Sequence, residues 1–353
     1  MATMRDVAER ANVSIATVSF VINGTKRVAP ETRARIEAAI EELDYRRNVV
    51  ARALASSRTR ILALLHPDLE ARPNATVIQF VMSAAHGARE RGYDLVLWPV
   101  NDDEQMSHLL AGGLVDGALL MEVQIRDSRV DRLVASRVPF ALIGRTENDD
   151  LPFVDIDFAT TIDLAVGHLR SFGHQRIALV AQRTKAGNEP GRIMRAKAAY
   201  LDAMAALGRP PAVVAVEGTS AGGREAAHKL HDDFPDATAV ILVNEGASAG
   251  LVKGLRALGR TVPDDLSIIS ASTTRELGEM IEPSLTVMAA PAPQLGRLAA
   301  DALIDQLEGV QDTPPHILIP CTLVPGQSVG PAPDRSSTSR PEPKRERNAQ
   351  TDS

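Results

Sequence analysis

The chain has 353 residues, of which 44% are apolar and 24% charged, and these values fit a folded protein of more than one domain. Its only cysteine, Cys321, excludes an internal disulfide and a cysteine metal cluster, and because neither an apolar leader nor an apolar run near ~20 residues is present, we expect a cytoplasmic protein. Residues 1–60 carry 11 Lys and Arg against 7 Asp and Glu, whereas residues 61–330 carry 23 against 34, so a basic segment that suits nucleic acid precedes an acidic body that repels it.

Three apolar-periodic segments in the first 45 residues predict three helices. Thr3 and Asp6 are spaced as a capping pair before the first helix. Ser14 precedes the second helix, and Pro30 suits the first turn of the third. Residues 12–14 alone separate the first two helices, as in a helix-turn-helix. The predicted apolar faces consist of Met4, Val7, Ala8, Ala11, Ile36, Ala39, Ile40 and Leu43.

From Ile61 onward, short apolar runs such as ILALL, VDGALLM, RIALVA and TAVILV alternate with amphipathic segments. Near-continuous apolar strands separated by helices predict an α/β body of parallel sheets covered on both faces, here in two doubly wound lobes. A change of pattern at 157–161, and a late strand HILIPCTLV after a helix over 294–308, predict that the chain crosses between the lobes more than once. The segment from Pro331 contains no Leu, Ile or Val, so we expect a disordered tail.

Three strings in the first 60 residues, DVAERANVSIATVSFVIN, VAPETRARIEAAIEELDY and VARALA, resemble the lactose-repressor (LacI) family, and particularly its purine-repressor branch. The resemblance continues from about 61 to 328 through ERGYDLVLW, LAVGHLRSFGHQRIALV and GLRALGRTVPDDLSII. It implies a helix-turn-helix domain at 1–47, a hinge helix and linker at 48–60, and a tail at 331–353. Between them, residues 61–330 would form a bilobed effector-binding and dimerisation domain of the periplasmic-binding-protein type.

The resemblance also implies a function. We expect a homodimeric transcription regulator, acting as a repressor on a pseudo-palindromic operator and controlled by a small-molecule effector such as a sugar or related metabolite. The tail lacks the leucine heptads of a coiled-coil tetramer, which favours the dimer. A solute-binding protein of the same fold is the alternative, and the basic headpiece and missing export signal argue against it.

In a helix-turn-helix, the second helix presents its first residues to base edges. The family's base-reading positions are occupied here by Ile15, Ala16 and Phe20, which offer no hydrogen-bonding side chain and can contact only the thymine methyl. Lys26 is the candidate for polar reading, with Arg27 weaker. In the alternative, Phe20 folds back as extra core and does not read bases. Positions implied to bond phosphates are Ser14, Thr17, Asn23, Thr32, Tyr45 and Asn48, and Arg52 completes the expected DNA-binding set.

Residues 48–57, NVVARALASS, resemble the family's hinge helix, which folds when two protomers meet on operator DNA. Leu54 matches the leucine that is inserted into the minor groove, where an apolar wedge unstacks a base step. An isolated helix of this length is marginal, so its ordering predicts a switch. The alternative is a plain linker with one exposed leucine.

The effector cleft departs from the family pattern: Phe158 replaces an Asn, and Gly326 replaces a late Arg. Asn244-Glu245 stands for Asn-Asp, and the residues at 270–273, SAST, replace a Gly-aromatic-Asp-Asp turn. These changes predict a cleft with fewer carboxylates, which weakens the case for a plain sugar. Three arginines, at 145, 192 and 195, are candidate clamps, although each could equally be a surface charge. The full set of expected effector contacts is Asp68, Asn74, Trp98, Arg145, Arg192, Arg195, Glu245 and Thr273.

An enzyme is the remaining alternative. GTSAG at 218–222 and GASAG at 246–250 both match the G-x-S-x-G turn of hydrolases. Two matches in one chain suggest coincidence. The hydrolase order also needs an Asp and then a His after the serine, and for Ser248 the only later histidine is His316. Small residues at these turns would instead cap helices and expose backbone N–H groups to the cleft. His228 and His231 are spaced by one helical turn, which favours a surface pair over a metal site. No G-x-G-x-x-G follows the first strand, and neither a G-x-x-x-x-G-K-[ST] nor an H-E-x-x-H motif occurs. We therefore expect no catalysis, no cofactor and no metal.

Overall fold

The structure is a computed structural model that describes residues 2–23, 26–45, 58–67, 74–100, 103–148, 150–184, 189–310 and 315–334. It divides into two compact units, one up to Arg60 and one from Ile61 onward. Asn48, Arg52, Leu54 and Asp68 lie outside the described residues, as does the tail from 335. Within the described ranges, none of the helices is both long and apolar enough to cross a membrane.

The first unit contains three helices: α1 (Met4–Ala11), α2 (Ile15–Asn23) and α3 (Pro30–Glu42). The predicted capping box is present at α1, where the Thr3 hydroxyl accepts the Asp6 N–H at 3.3 Å and the Asp6 carboxylate accepts the Thr3 N–H at 2.7 Å. Pro30 begins α3, as predicted. Val7 on α1, Val18 on α2 and Ile36 on α3 are fully buried and bring the three helices around one small core.

The second unit has two lobes, each built on a six-stranded sheet. In lobe 1 the strand order is β11-β5-β4-β3-β1-β2 and every pairing is parallel. Its strands are β1 (Ile61–His66), β2 (Asp94–Pro99), β3 (Gly117–Leu120), β4 (Phe140–Ile143), β5 (Phe153–Ile156) and β11 (His316–Ile319). Its helices are α4 (Ala75–Glu90), α5 (Asp103–Ala111), α6 (Ser128–Ser136) and α12 (Ala292–Glu308).

Lobe 2 has the strand order β12-β10-β9-β8-β6-β7, and β12 alone of these strands is antiparallel to its neighbour. Its strands are β6 (Ile177–Gln182), β7 (Val213–Val216), β8 (Ala239–Val243), β9 (Ser267–Thr273), β10 (Thr286–Ala289) and β12 (Thr322–Val324). Its helices are α7 (Phe158–Ser171), α8 (Gly191–Ala206), α9 (Ser220–Asp232), α10 (Ser248–Ala257) and α11 (Arg275–Glu279). The predicted α/β class with two doubly wound lobes is confirmed.

The chain crosses between the lobes three times: from β5 to α7, from β10 to α12, and from β11 to β12. The late strand was predicted as one element, and this prediction is wrong. HILIPCTLV divides at Pro320-Cys321 into β11 of lobe 1 and β12 of lobe 2. The Cys321 N–H donates to Thr161 Oγ1 at 2.9 Å instead of continuing a sheet, and Pro320 has no N–H to donate.

The end of the described chain is fixed to lobe 2. His174 is fully buried and lies 3.0 Å from Thr238 Oγ1 through Nδ1, and 3.0 Å from the Gly330 carbonyl through Nε2. Burial lowers the pKa of His174, and the hydrogen bond with the Gly330 carbonyl opposes that fall. The Ala332 N–H donates to the Phe172 carbonyl at 2.8 Å. The chain up to Ala332 is therefore bonded to the lobe, although the tail is expected to begin at Pro331.

Candidate functional site

The outward face of α2 is apolar. Ile15 is 45% exposed and Ala16 is also exposed. Phe20 is half-buried and stands apart from the cluster formed by Val7, Val18 and Ile36, while Lys26 Nζ lies 4.9 Å from the centre of the Phe20 ring. This arrangement favours a Phe20 ring that is available to a partner over one that serves as extra core. The sequence had placed these apolar residues and Lys26 at base-reading positions.

The residues predicted to bond phosphates take different places. Ser14 accepts the Thr17 N–H at 3.1 Å, and the two hydroxyl oxygens lie 2.8 Å apart at the start of α2. Asn23 is the last residue of α2. Thr32 is half-buried on α3, and Tyr45 packs against the core of the unit. The start of α2 can thus present two adjacent hydroxyl groups to a phosphate oxygen.

A narrow cleft lies between the lobes, at the carboxyl ends of β3, β4, β5 and β9. This is the end of a parallel sheet at which ligands bind in doubly wound folds. The enclosed space is about 70 Å³, far below the roughly 300–1,000 Å³ of a typical ligand site. The two lobes therefore lie close together on either side of this space. Its apolar walls include Val77, Phe80, Met121, Val123, Ile143, Ile156 and Phe158.

Arg192 of lobe 2 crosses the cleft to Glu122 of lobe 1. Arg192 Nε donates to Glu122 Oε1 at 2.9 Å and to Oε2 at 3.1 Å, and an Nη2 group donates to Gln182 Oε1 at 3.1 Å. Glu122 has a backbone φ of 51°, in the left-handed region that is costly for a side chain other than glycine. Beside this pair, the Gly191 N–H donates to the Val123 carbonyl at 2.8 Å.

Arg195, one turn further along α8, pairs with the buried Asp155 of β5. Arg195 Nη2 lies 2.9 Å from Asp155 Oδ2, and Arg145 Nε lies 3.6 Å from the same oxygen. Burial raises the pKa of Asp155 above its ordinary value, and the two guanidinium groups oppose that rise. Arg195 also donates to the Arg145 carbonyl at 3.0 Å. The pair joins the two lobes at the floor of the cleft.

Glu245, which follows β8 of lobe 2, reaches the start of α4 in lobe 1. Its Oε1 accepts the Ala75 N–H at 2.7 Å, and its Oε2 accepts the Thr76 hydroxyl at 2.6 Å. Asn74 caps the same helix by accepting the Val77 N–H at 2.8 Å. Because the start of a helix carries unsatisfied N–H groups and a partial positive charge, it is a natural place for this carboxylate.

Comparisons with known proteins find relatives for both units of the chain. A family model described as bacterial regulatory proteins, lacI family, matches residues 3–48, and one described as a periplasmic binding protein-like domain matches residues 166–329. Catabolite control protein A of Priestia megaterium is 33% identical over 84% of this chain and 90% of its own length. The chain belongs to the LacI family of bacterial regulatory proteins. The transcriptional repressor PurR of Pectobacterium atrosepticum is 31% identical over 95% of this chain and 99% of its own.

Solved structures of LacI-family regulators superpose over most of the chain. The CelR regulator in complex with cellobiose covers 93% of this chain and 100% of its own, with a TM-score of 0.70 and 28% identity. The lac repressor dimer bound to operator and an anti-inducer covers 93% of this chain and 99% of its own, with a TM-score of 0.79 and 24% identity. The second likeness concerns the fold alone. The chain is a DNA-binding transcriptional regulator, and the solute-binding alternative is not favoured.

The predicted effector contacts of this LacI-family regulator separate into two groups. Asn74, Arg192 and Arg195 line the cleft, while Arg145 and Glu245 make the contacts given above beside it. Trp98 instead packs against the outer core of lobe 1, and Thr273 is fully buried at the end of β9.

Sequence reasoning missed two cleft residues, Glu122 and Asp155, and expected too few carboxylates. Both lie at or just beyond the carboxyl ends of strands β3 and β5. That position was the available signal, because side chains at the carboxyl ends of parallel strands converge on the ligand crevice. The expectation of a carboxylate-poor cleft is therefore wrong, since Glu122, Asp155 and Glu245 all contact the opposite lobe.

The two G-x-S-x-G matches serve packing in this regulator. A Cβ on Gly250 would lie 2.0 Å from the Ser220 carbonyl oxygen, and one on Gly246 would lie 2.2 Å from that of Gly218. The close approach of the two turns and of the helices α9 and α10 that follow them explains the glycines at 246 and 250. His316 lies on β11 of lobe 1 and stacks on Phe153 at 5.0 Å, away from both serines of lobe 2. Within the described residues, the acidic, histidine and cysteine side chains form no group suited to a metal.

Proposed function

We propose that this regulator binds a pseudo-palindromic operator as a cytoplasmic homodimer, and that a small metabolite bound between the lobes controls its affinity for DNA. The observation that carries the proposal is the outward apolar face of α2, where Ile15 is 45% exposed and Phe20 lies outside the core. Exposed apolar side chains on a recognition helix are costly unless a partner covers them. The CelR regulator binds cellobiose, which supports a sugar-sized effector for the cleft.

A second copy of the chain is supported by an exposed apolar surface on lobe 1. Strand β2 is an edge of its sheet, and α4 packs beside it. An edge strand with apolar outward side chains is a natural surface for a partner. One short recognition helix covers too few base pairs for specific affinity, so two headpieces are needed. The exposed apolar residues of this surface are Ile78, Met82, Val96 and Leu97.

Selection of binding sites from random duplexes, followed by gel shift, tests the proposal. We expect two inverted half-sites and a complex of two chains per duplex, because the symmetry of a dimer is mirrored in its operator. Retention of all duplexes with equal affinity would contradict sequence-specific binding.

Uracil substitution tests how the half-site is read. Replacing a contacted thymine by uracil removes only the methyl group, and we expect a loss of about 1 kcal/mol, or about fivefold in Kd, at positions opposite Ile15 and Phe20. Gel shift or fluorescence anisotropy measures the change. Uracil at thymines outside the half-site serves as the control and should leave Kd unchanged.

The Phe20→Ala variant completes this experiment. If the ring contacts the methyl group, the variant should bind thymine and uracil operators with equal affinity at that position, because the two changes remove the same interaction. Unchanged affinity of the natural chain for the uracil operator would show that Phe20 belongs to the core and does not read bases.

Leu54→Ala tests the hinge that the family resemblance implies for residues 48–57. We expect operator affinity to fall about tenfold or more, since a buried leucine contributes roughly 1.5–3 kcal/mol. Binding to random DNA should stay nearly the same, because phosphate contacts and not the wedge hold it. Anisotropy titrations with both DNAs at several salt concentrations give the comparison.

The conservative variant Leu54→Ile serves as the control for this experiment, because it keeps the apolar volume and should retain most of the operator affinity. An equal loss on operator and random DNA in Leu54→Ala would reject a wedge role and leave this segment a plain linker.

A further inference from the structure

Three groups in the described part of the cleft would attract an anion. Arg192 and Arg195 lie one turn apart on α8 and point their guanidinium groups toward lobe 1. The third is the start of α4, whose backbone N–H groups face lobe 2. Guanidinium groups and helix starts are the two features with which proteins most often hold phosphate and carboxylate. The cleft therefore has the groups of an anion site.

Each of the three is already occupied by a carboxylate of the chain itself. Both carboxylate oxygens of Glu122 accept hydrogen bonds from Arg192 Nε, at 2.9 and 3.1 Å. Asp155 Oδ2 forms an ion pair with Arg195 Nη2 at 2.9 Å. Glu245 Oε1 accepts the Ala75 N–H at the start of α4, at 2.7 Å. In every case the carboxylate and its partner belong to opposite lobes, so these contacts both neutralise the cleft and hold it closed.

We propose that Glu122 and Asp155 set the charge selectivity of the cleft, so that it admits an uncharged, hydroxyl-bearing ligand and rejects ligands that carry phosphate or carboxylate. An anionic ligand would have to displace a carboxylate from its arginine and then remain beside it in a space walled by Phe80 and Phe158. Like charges in such a partly apolar space repel strongly, because little water is present to screen them.

An uncharged hydroxyl group meets no such obstacle. Inserted between Arg192 and Glu122, it accepts from the guanidinium of one lobe and donates to the carboxylate of the other, and both charged groups keep a partner. The apolar walls can then cover the carbon face of the ligand. The assignment rests on the proposed function, since it concerns the ligand of the same cleft.

Inorganic phosphate is the probe, with the full chain and the isosteric variant Glu122→Gln. Calorimetry and thermal unfolding are followed against phosphate at constant ionic strength, with chloride as the replaced anion. The variant should bind phosphate about tenfold or more tightly than the natural chain, because Arg192 loses its counter-charge while Gln182 still holds it in place. The matched control is Glu147→Gln, which removes a carboxylate from the exposed ion pair with Arg126. This variant should bind phosphate no more tightly than the natural chain.

Two more variants locate the binding and keep the test independent of how Glu122→Gln folds. Adding Arg192→Gln to Glu122→Gln should abolish the gain. Arg192→Gln alone shows whether any phosphate binding of the natural chain uses this arginine, which Glu122 already occupies. Phosphate binding by the natural chain that Arg192→Gln removes would overturn the assignment, as would equal phosphate affinity in the natural chain and a folded Glu122→Gln.

Operator gel shift separates this inference from the proposed function. If the natural chain retains operator DNA but Glu122→Gln gains no phosphate affinity, the proposed charge selectivity is wrong and the proposed function is unaffected. If the natural chain selects no operator, the proposed function is wrong regardless of the phosphate affinities.

Discussion

Gly250→Ala should lower the free energy of unfolding of the large unit by about 3 kcal/mol or more, because overpacking against backbone cannot be relieved by a side-chain rotation. The new Cβ would lie 2.0 Å from the Ser220 carbonyl oxygen and 2.7 Å from its carbon. The helices α9 and α10 would have to move apart, and their apolar contacts would be lost. Urea unfolding followed by circular dichroism measures the effect.

Gly167→Ala is the matched control for this substitution. Gly167 is an exposed residue inside helix α7, and a Cβ added there would meet nothing within 4 Å. Alanine is a better helix former than glycine, so the free energy of unfolding of this variant should rise by roughly 0.5–1 kcal/mol. A Gly250→Ala protein that unfolds with nearly the stability of the natural chain would show that the two helices are not in such close contact.

Alkylation of Cys321 by iodoacetamide at pH 8 should be about a thousandfold or more slower in the native protein than in denaturant, because the thiolate is the reacting species. The side chain is 2% exposed, and burial raises the pKa of Cys321 to about 12. The thiolate fraction of the native state therefore stays small and rises about tenfold with each pH unit until the pH nears that value. Mass spectrometry gives a clean count because the chain has a single cysteine.

The same reaction reports on the burial of the crossing that contains Cys321. Cys321 lies in the third crossing, between β11 of lobe 1 and β12 of lobe 2, and its N–H is bonded to Thr161. Native labelling should remain slow in urea below the unfolding transition and accelerate with it. Labelling of the native protein within tenfold of the denatured rate would contradict a buried crossing. The Cys321→Ser variant, which cannot be alkylated there, is the control for other sites.

Local signals in the sequence were sufficient for the three helices of the first unit and for the class of the second. The Thr3–Asp6 capping box, Pro30 at the start of α3 and the spacing of Val7 and Ala11 act over a few residues, so a sequence pattern contains them completely. Near-continuous apolar strands similarly predicted parallel sheets covered by helices. The apolar outward face of α2 was also visible, because it depends on residue types at known helical positions.

Tertiary structure alone decided which lobe the late strand joins and which residues meet in the cleft. HILIPCTLV is one apolar run by local pattern, but its halves pair with β5 and β10, strands that lie in different lobes. Arg192 and Glu122 are 70 positions apart, and Glu245 and Ala75 are 170 apart. Such pairs form only when the lobes close, since the energy of an ion pair depends on the distance between charges in space and not along the chain. The sequence by itself therefore determined the three helices of the first unit, whereas the neutralised cleft is a property of the folded and closed large unit.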